Sequence, residues 1–480
     1  MTDWPKIIQG GMGAGVSSWR LARAVSARGQ LGVVSGIALD VITVRRLQDG
    51  DADGSIRSSL EHFPIRLMAE KILERYFIPG GKPAGKPYAT VPMHSKELKR
   101  DLAELSIVGN FVEVFLARQG HDGAIGINYL EKIQLPLLPS IYGAMLAGVA
   151  FVLMGAGIAT KIPGVLDRLS NHQIASYELT VSGATDGDAT TLSFDPQEFI
   201  GGIPAPLVRP QFLSIVSSNV LATTMMRRSN GRVDGFIIEG PTAGGHNAPP
   251  RGKLQLNEEG QPVYGEKDAV DLARIAELGL PFWLAGGYAT PARLAEALAS
   301  GACGVQVGTA FALCDESGLM EDYRRTLLQK SVTGGATIFT DPLASPTGFP
   351  FKIALLEESL SEAAVYEARE RVCDLGFLRQ AYRSPDGSVR YRCPSEPVDA
   401  YLAKGGTIEE TIGRKCLCNA LIANIGHPQR RSDGRIEPPL VTAGDDLQSI
   451  ARFIPPGHSS YTARDVIDHL LGEPFGSIPA

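Results

Sequence analysis

The chain has 480 residues, 44% of them hydrophobic and 20% charged, with a net charge of −6; this is ordinary globular composition and excludes a disordered or low-complexity chain. No basic block accompanies the acidic balance, which argues against nucleic acid and against a membrane surface as partners and leaves small molecules as the expected ligands. The opening MTDWPKIIQGG carries Asp3 and Lys6 where an export signal needs an unbroken apolar core, so a cytoplasmic location is expected, with the six cysteines kept as thiols rather than forming a disulfide scaffold.

In chain order, Ile7-Ile8 opens a short strand that ends at Gln9-Gly10-Gly11-Met12-Gly13. Ser17 or Ser18 then caps a helix with Leu21, Ala24 and Val25 on one face and Arg20, Arg23 and Arg28 toward solvent. Leu31 to Ser35 is a second strand. This start invites a dinucleotide-binding reading, but Val16 stands where the third glycine of the fingerprint belongs. Gly80 to Lys86 matches a phosphate-loop spacing; Pro87 replaces the hydroxyl residue that would hold magnesium, so a flexible loop is the better reading. Residues 41–122 are polar and partly helical, an insertion whose final helix is expected over Val108 to Ala117.

Residues 122–128, DGAIGIN, make a third strand. The uncharged run 134–160 is long enough to span a bilayer, yet its prolines and glycines divide it into a helix over Ser140 to Ala147 and a fourth, buried strand from Val149, ending at Gly155-Ala156-Gly157. Residues 172–210 hold an alternating segment, Ser176 to Phe194, that reads as a hairpin outside the core. Phe212 to Val216 is a fifth strand with a helix from Asn219 to Arg228, and Phe236 to Glu239 is the sixth. A helix with Val270, Ala273 and Ile275 inward ends before Gly279. Pro281 to Ala285 is the seventh strand; Thr290-Pro291 supplies an N-cap and an N1 proline for a helix ending at Gly301, and Gly304 to Val307 is the eighth.

Eight strands, each with room for a following helix, predict an α/β fold of the (β/α)8 TIM-barrel type. The barrel is expected over residues 1–311 with insertions at about 41–122 and 172–210, followed by a mainly helical extension, 312–480, suited to a small domain, a lid or a homo-oligomer interface. In such barrels ligands bind at the C-terminal ends of the strands, with phosphate between the loops after strands seven and eight. Those ends read Ala285-Gly286-Gly287-Tyr288 and Gln306-Val307-Gly308-Thr309. Their glycines leave backbone N–H groups free for a dianion, and Thr309 adds a hydroxyl. The sixth strand runs into GPTAGGHNAPP, where Gly244 and Gly245 allow close backbone approach to a flat or charged ligand and His246 is the side chain that titrates near neutrality.

The motifs IIQGGMGAGVS, GAIGIN, IIEGPTAGGHN, LAGGYATP, GVQVGTAF and SPTGFPFK occur in an order and spacing that resembles the nitronate monooxygenase (2-nitropropane dioxygenase) family of FMN-dependent barrels, over roughly residues 5–352. That family is related to flavin enoyl-[acyl-carrier-protein] reductases and NADH:quinone reductases. The resemblance implies FMN as cofactor, with Gly286, Gly287, Gln306, Gly308 and Thr309 holding its phosphate and the approach to it. It places Met12 and Asn128 at the isoalloxazine, and Gly244 and Gly245 against the flavin with His246 above the substrate. It also implies an oxidoreductase that uses O2 to convert alkyl nitronates to carbonyl compounds and nitrite; an NAD(P)H-dependent enoyl-thioester reductase, acting with acyl carrier protein, is the alternative, and a non-catalytic FMN-binding protein the second. Glu239 stands where the monooxygenases usually carry glutamine, a choice closer to the reductases, and Pro241-Thr242 replaces an expected Gly/Met-Glu pair. A carboxylate buried beside a flavin needs a partner or a raised pKa. Lys161 is a candidate cation for the reduced flavin, with a solvated helix-start lysine as the simpler reading.

In the extension, Cys373, Cys393, Cys416 and Cys418 could complete a tetrahedral zinc site. Their spacing argues against it, because zinc ribbons pair cysteines two to four residues apart on each side. A metal-free extension of packed thiols is expected.

Overall fold

The computed structural model describes residues 4–185, 188–202 and 205–474. Asp3, the residues at the turn of the expected hairpin, 186–187, and those at 203–204 within the second insertion lie outside the described residues.

Eight parallel strands form the core: β1 Ile7–Gln9, β2 Gly32–Ser35, β3 Ile125–Leu130, β4 Phe151–Gly155, β5 Gln211–Val216, β6 Gly235–Glu239, β7 Phe282–Ala285 and β8 Gly304–Val307. From β2 onward each pairs in parallel with the next, and β8 returns to β1 with Ile7 opposite Val305. A parallel bridge between Ile8 and Leu31 closes the ring, with the Gln9 amide donating to the Leu31 carbonyl at 2.9 Å. The sheet is therefore a closed TIM barrel, and the strands start and end within two residues of the expected positions, except that β3 begins three residues later, at Ile125.

Alternation along the strands sorts their side chains. Ile8, Val33, Leu153, Leu213, Ile237 and Trp283 fill the barrel interior, whereas Ile7, Val34, Val152, Phe212, Ile238 and Leu284 join the outer core under the helices. The interior is plugged from the N-terminal side: Trp4 packs edge-on against Trp283 at 5.6 Å, and the Trp283 indole N–H donates to the Pro5 carbonyl at 2.8 Å. Because this fully buried ring fills the barrel axis, Trp283→Ala is expected to lower the unfolding free energy by about 3–5 kcal/mol. Denaturant unfolding checks this, and a change near zero would contradict the plug.

Helix caps follow the local sequence. Thr290 accepts the Arg293 amide at 3.2 Å and Ser218 accepts that of Leu221 at 3.1 Å, starting helices Pro291–Ala299 and Asn219–Arg228. Ser18, at the N-cap of Trp19–Ser26, makes no such side-chain bond. Around helix Leu272–Ala276, Ala273 faces solvent, and of the three residues expected inward Ile275 alone is fully buried.

The largest departure is the helix before β3, which spans Arg100–Ala117 rather than starting at Val108 and is buried along most of its length. Its polar residues are paired instead of solvated: Glu104 accepts from Arg100 at 2.9 Å, and Glu113 accepts from Arg46 at 2.9 Å and from the Trp19 amide at 2.8 Å. Helices Leu39–Gln48, Ser55–Glu61 and Arg66–Tyr76 pack on its outer side, so its polar groups are enclosed and a polarity pattern underestimates its length. Among the described residues no helix is long and apolar enough to cross a membrane. The uncharged run divides into helix Leu137–Leu146 and β4.

Residues beyond the eighth strand return to the barrel mouth. A hairpin, Ile338–Asp341 with Phe351–Ala354, pairs through Phe351 and Lys352 with Gly245 and His246. A later segment brings the Gly444 amide to the Thr309 hydroxyl at 2.8 Å and the Asp445 amide to the Thr242 carbonyl at 3.1 Å.

Candidate active site

The C-terminal ends of the strands open into a cavity of about 560 Å3, within the range of small-ligand pockets. Met12, Asn128, Glu239, Gly244, Gly245, His246, Gly286, Gly287, Gln306, Gly308 and Thr309 all line it. Lys161 does not: it borders a second cleft with Glu131, Gln134 and Tyr177.

The floor beside β1 is built by hydrogen bonds. Ser17 Oγ accepts the Met12 amide at 2.9 Å and donates to the Gly10 carbonyl at 3.0 Å, and Gln9 ties this loop to β2 by accepting the Val33 amide at 3.0 Å. Ser17 thus shapes the loop instead of capping the helix. Gly11 has to be glycine: a Cβ there would fall 2.3 Å from the Cβ of Asn128.

At the opposite end, Gly286 and Gly287 adopt φ of +90° and +73°, the left-handed region that other residues enter at a cost. A Cβ on Gly308 would meet nothing nearer than the Met12 sulfur at 3.5 Å, so space lies before that backbone. Thr309 Oγ1 accepts the Gly444 amide, which leaves its O–H to donate. Gly244 is pinned from behind, since a Cβ would lie 2.8 Å from the backbone of Ala443 and Gly444. Thr442, Ala443 and Gly444 line this end of the cavity. More than 130 residues separate them from Gly308, and no motif in the sequence marks them. Gln306 Oε1 is buried without a hydrogen-bond partner, an acceptor facing the need for a donor.

His246 sits between two aromatic rings, edge-on to Phe351 at 4.8 Å and to Phe349 at 6.4 Å. Its Nε2 meets Ser345 Oγ at 2.7 Å, and Ser345 Oγ meets Thr347 Oγ1 at 2.8 Å. Ser345 belongs to the SPTGFPFK motif, where the sequence pattern is visible but the residue's partner is not. Its backbone carbonyl in turn accepts from Arg414 at 2.5 Å, and buried Lys352 donates to the Pro241 carbonyl at 2.9 Å and to Asp445 at 2.7 Å. The histidine loop is therefore fixed by groups from the last third of the chain.

Burial pushes the His246 imidazole down to about 4 and the Glu239 carboxyl up to about 7. Both groups are thus held toward their neutral forms. The two act oppositely on stability. The unfolded chain binds the extra proton at His246 between pH 6.5 and about 4, so that group's contribution is lost as pH falls through this window. The folded chain binds the extra proton at Glu239 between 4.5 and about 7, so that group's contribution is lost as pH rises. Glu239→Gln removes the second slope, and its unfolding free energy is expected to climb more steeply with pH between about 4.5 and 6.5 than that of the parent. Denaturant midpoints across that range measure it; parallel profiles would contradict it.

Residues 210–344 match the family model described as Nitronate monooxygenase. A nitronate monooxygenase of Paraburkholderia phytofirmans is 38% identical over 105 residues, 20% of this chain and 25% of that protein. The (3aS,4S,5R,7aS)-5-hydroxy-7a-methyl-1-oxo-octahydro-1H-indene-4-carboxyl-CoA dehydrogenase of Mycobacterium tuberculosis is 33% identical over 101 residues, 21% of this chain and 25% of that protein. The matches thus span about a quarter of the length of these curated relatives. The solved structure of FabK from Thermotoga maritima aligns with 98% of this chain and 92% of its own, at 17% identity and a TM-score of 0.47. Strands β5 to β8 with their loops, including the glycine–histidine loop, lie within the segment that is similar to the nitronate monooxygenase family model.

Proposed function

We propose that this protein is a flavin-dependent oxidoreductase that binds FMN in the barrel mouth and oxidises alkyl nitronates with O2 to carbonyl compounds and nitrite. The observation that carries this reading is the placement of His246, anchored on Ser345, in the same cavity as Gly286, Gly287, Gly308 and Thr309, within and beside the family-matched segment.

The residues present fit the cofactor. Gly286, Gly287, Gly308 and Thr309 offer amides and a hydroxyl for its phosphate, the open space before Gly308 admits the group, and Gln306 Oε1 is a free acceptor for a ring N–H. Met12, Asn128, Gly244 and Gly245 would flank the ring. When bound, FMN supplies the electron-accepting chemistry.

The chain's own groups handle charge and protons. With Nε2–H donating to Ser345 Oγ, and Ser345 passing its own hydrogen to Thr347, Nδ1 is left as the basic nitrogen for the α-proton of a neutral nitroalkane. Above about pH 4 His246 is in the form that can accept it. Ile37, Ile133, Phe349 and Phe377 exclude water from the remaining space.

A second reading, an NAD(P)H-dependent enoyl-thioester reductase, is favoured by Glu239: a carboxyl held up to about 7 can donate a proton to a reduced product. Two assays separate the readings. Nitrite release and O2 uptake with propyl-2-nitronate support the first; steady NAD(P)H consumption with a crotonyl thioester and no nitrite would replace it with the second.

A further inference from the structure

The active-site cavity has two unlike ends. Among the described residues the charged side chains that line it are Glu239, Arg251, Asp268 and Asp446. They belong to the end of β6, to the loop after it, and to the segment held at Thr309. The glycines that face the phosphate follow β7 and β8. Strand β3 stands opposite β7 in the ring, and there the lining is apolar: Ile37, Leu130 and Ile133, from the ends of β2 and β3, are joined by Phe377, Leu378 and Leu421 of the extension.

This wall begins beside the reacting centre. Phe349 stands edge-on to His246 at 6.4 Å and has the Lys132 ammonium, from the loop after β3, over its ring at 5.7 Å, so it bridges the histidine and the β3 side. Leu417 and Leu421, four apart on helix Leu417–Ala423, share a face and both line the cavity. Ile37, Leu130 and Leu421 pack on the core yet stay partly exposed. Of the four cysteines of the extension Cys418 alone lines the cavity, and among the described residues no group of three or more His, Cys, Asp or Glu is placed to hold a metal ion.

The wall is also fixed from behind. Arg379 donates to the His94 carbonyl at 2.6 Å, the His94 ring lies 6.1 Å from that of Phe377, and His94 Nε2 meets buried Asp40, in the helix after β2, at 2.7 Å. Asn419 ties the Leu421 helix to Asp374 at 2.8 Å, and Asn424 at its end donates to the Leu440 carbonyl at 2.8 Å and accepts the Leu440 amide at 3.1 Å. A surface held in this way needs little ordering when a ligand covers it.

We propose that the extension gives the site a chain-length preference: the substrate is a medium-chain alkyl nitronate whose carbon chain lies along Phe349, Ile133, Phe377 and Leu421, with Phe377 and Leu421 as specificity-determining residues. This rests on the nitronate reading of the same site. With the nitro-bearing carbon at His246, the charged groups occupy the other side of the cavity and the apolar wall is the direction in which a chain can run. A polar tail would lose its hydration there without gaining a charged partner. Each methylene that leaves water for the wall raises kcat/KM by about fourfold. The gain appears in KM rather than kcat, because the chain is held alike in ground and transition states.

The test measures nitrite release from the preformed nitronates of nitroethane, nitrobutane, nitrohexane and nitrooctane, together with calorimetric titration of the same protein with butanol, hexanol and octanol, which reads the wall without turnover. Both kcat/KM and alcohol affinity are expected to rise along their series. In Leu421→Trp protein, with its unfolding midpoint compared with the parent, the larger ring fills the wall and the nitrooctane-to-nitroethane ratio of kcat/KM falls by at least about tenfold. Leu421→Gln, close in size but polar, lowers the same ratio and keeps the test decisive if the tryptophan variant does not fold. No nitrite from any nitronate, with alcohol affinity still rising along the series and weakened in Leu421→Trp, would remove the nitronate head group and support the wall as a chain site. Turnover that does not rise with chain length, alcohol affinities that do not, or unchanged ratios in both variants would each overturn the proposal.

Discussion

Gly308→Asp protein is expected to purify folded and colourless. The substitution is sterically mild, because Gly308 has an ordinary negative φ of −108° and its missing Cβ would meet only the Met12 side chain. What changes is charge. A carboxylate placed about 5 Å from a phosphate, in a partly dry loop with an effective dielectric near 20, opposes each unit of phosphate charge by about 3 kcal/mol, which weakens binding by at least about 100-fold. Flavin absorbance of the purified protein, set against its unfolding midpoint, measures this directly. Stoichiometric flavin in a folded Gly308→Asp protein would mean that the phosphate lies elsewhere. Gly308→Ala is the control and keeps the flavin.

His246→Asn is expected to retain the flavin but to lose turnover of a neutral nitroalkane by about 10²- to 10⁴-fold, the usual contribution of a positioned general base. Turnover of the preformed nitronate, which needs no proton abstraction, falls far less. In the parent, activity on the neutral substrate is not lost through His246 protonation until pH approaches about 4, because burial keeps the imidazole neutral above that value. Steady-state kinetics on both substrates across pH decide the matter. Equal losses on the two substrates would remove the base role and leave a positioning role.

The barrel strands are legible in the sequence because a parallel strand covered on both faces is a short apolar run bounded by glycines, and seven of the eight begin within two residues of where those runs predict. The cavity residues are legible for a related reason: Gly286, Gly287 and the glycines before His246 occupy loop positions where a positive φ or a close backbone leaves no place for a side chain, and Gly308 stands at the strand end where a phosphate is expected. Ser345, Arg414, Lys352 and Gly444 are not, since each acts through a contact made 90 or more residues away in sequence from its partner or through a backbone carbonyl, and such pairings leave no periodicity. The long helix Arg100–Ala117 escapes a pattern-based reading because buried ion pairs look, residue by residue, like a solvated surface.

The most direct test of the central claim is an anaerobic titration of the purified protein followed by its visible spectrum. A nitronate-oxidising FMN protein is expected to show a flavin spectrum, released as free FMN on denaturation, that bleaches on adding propyl-2-nitronate and is unchanged by NADH or NADPH, with nitrite appearing when air is admitted. Bleaching by NAD(P)H with none by the nitronate, or a protein that binds no FMN at all, would contradict it.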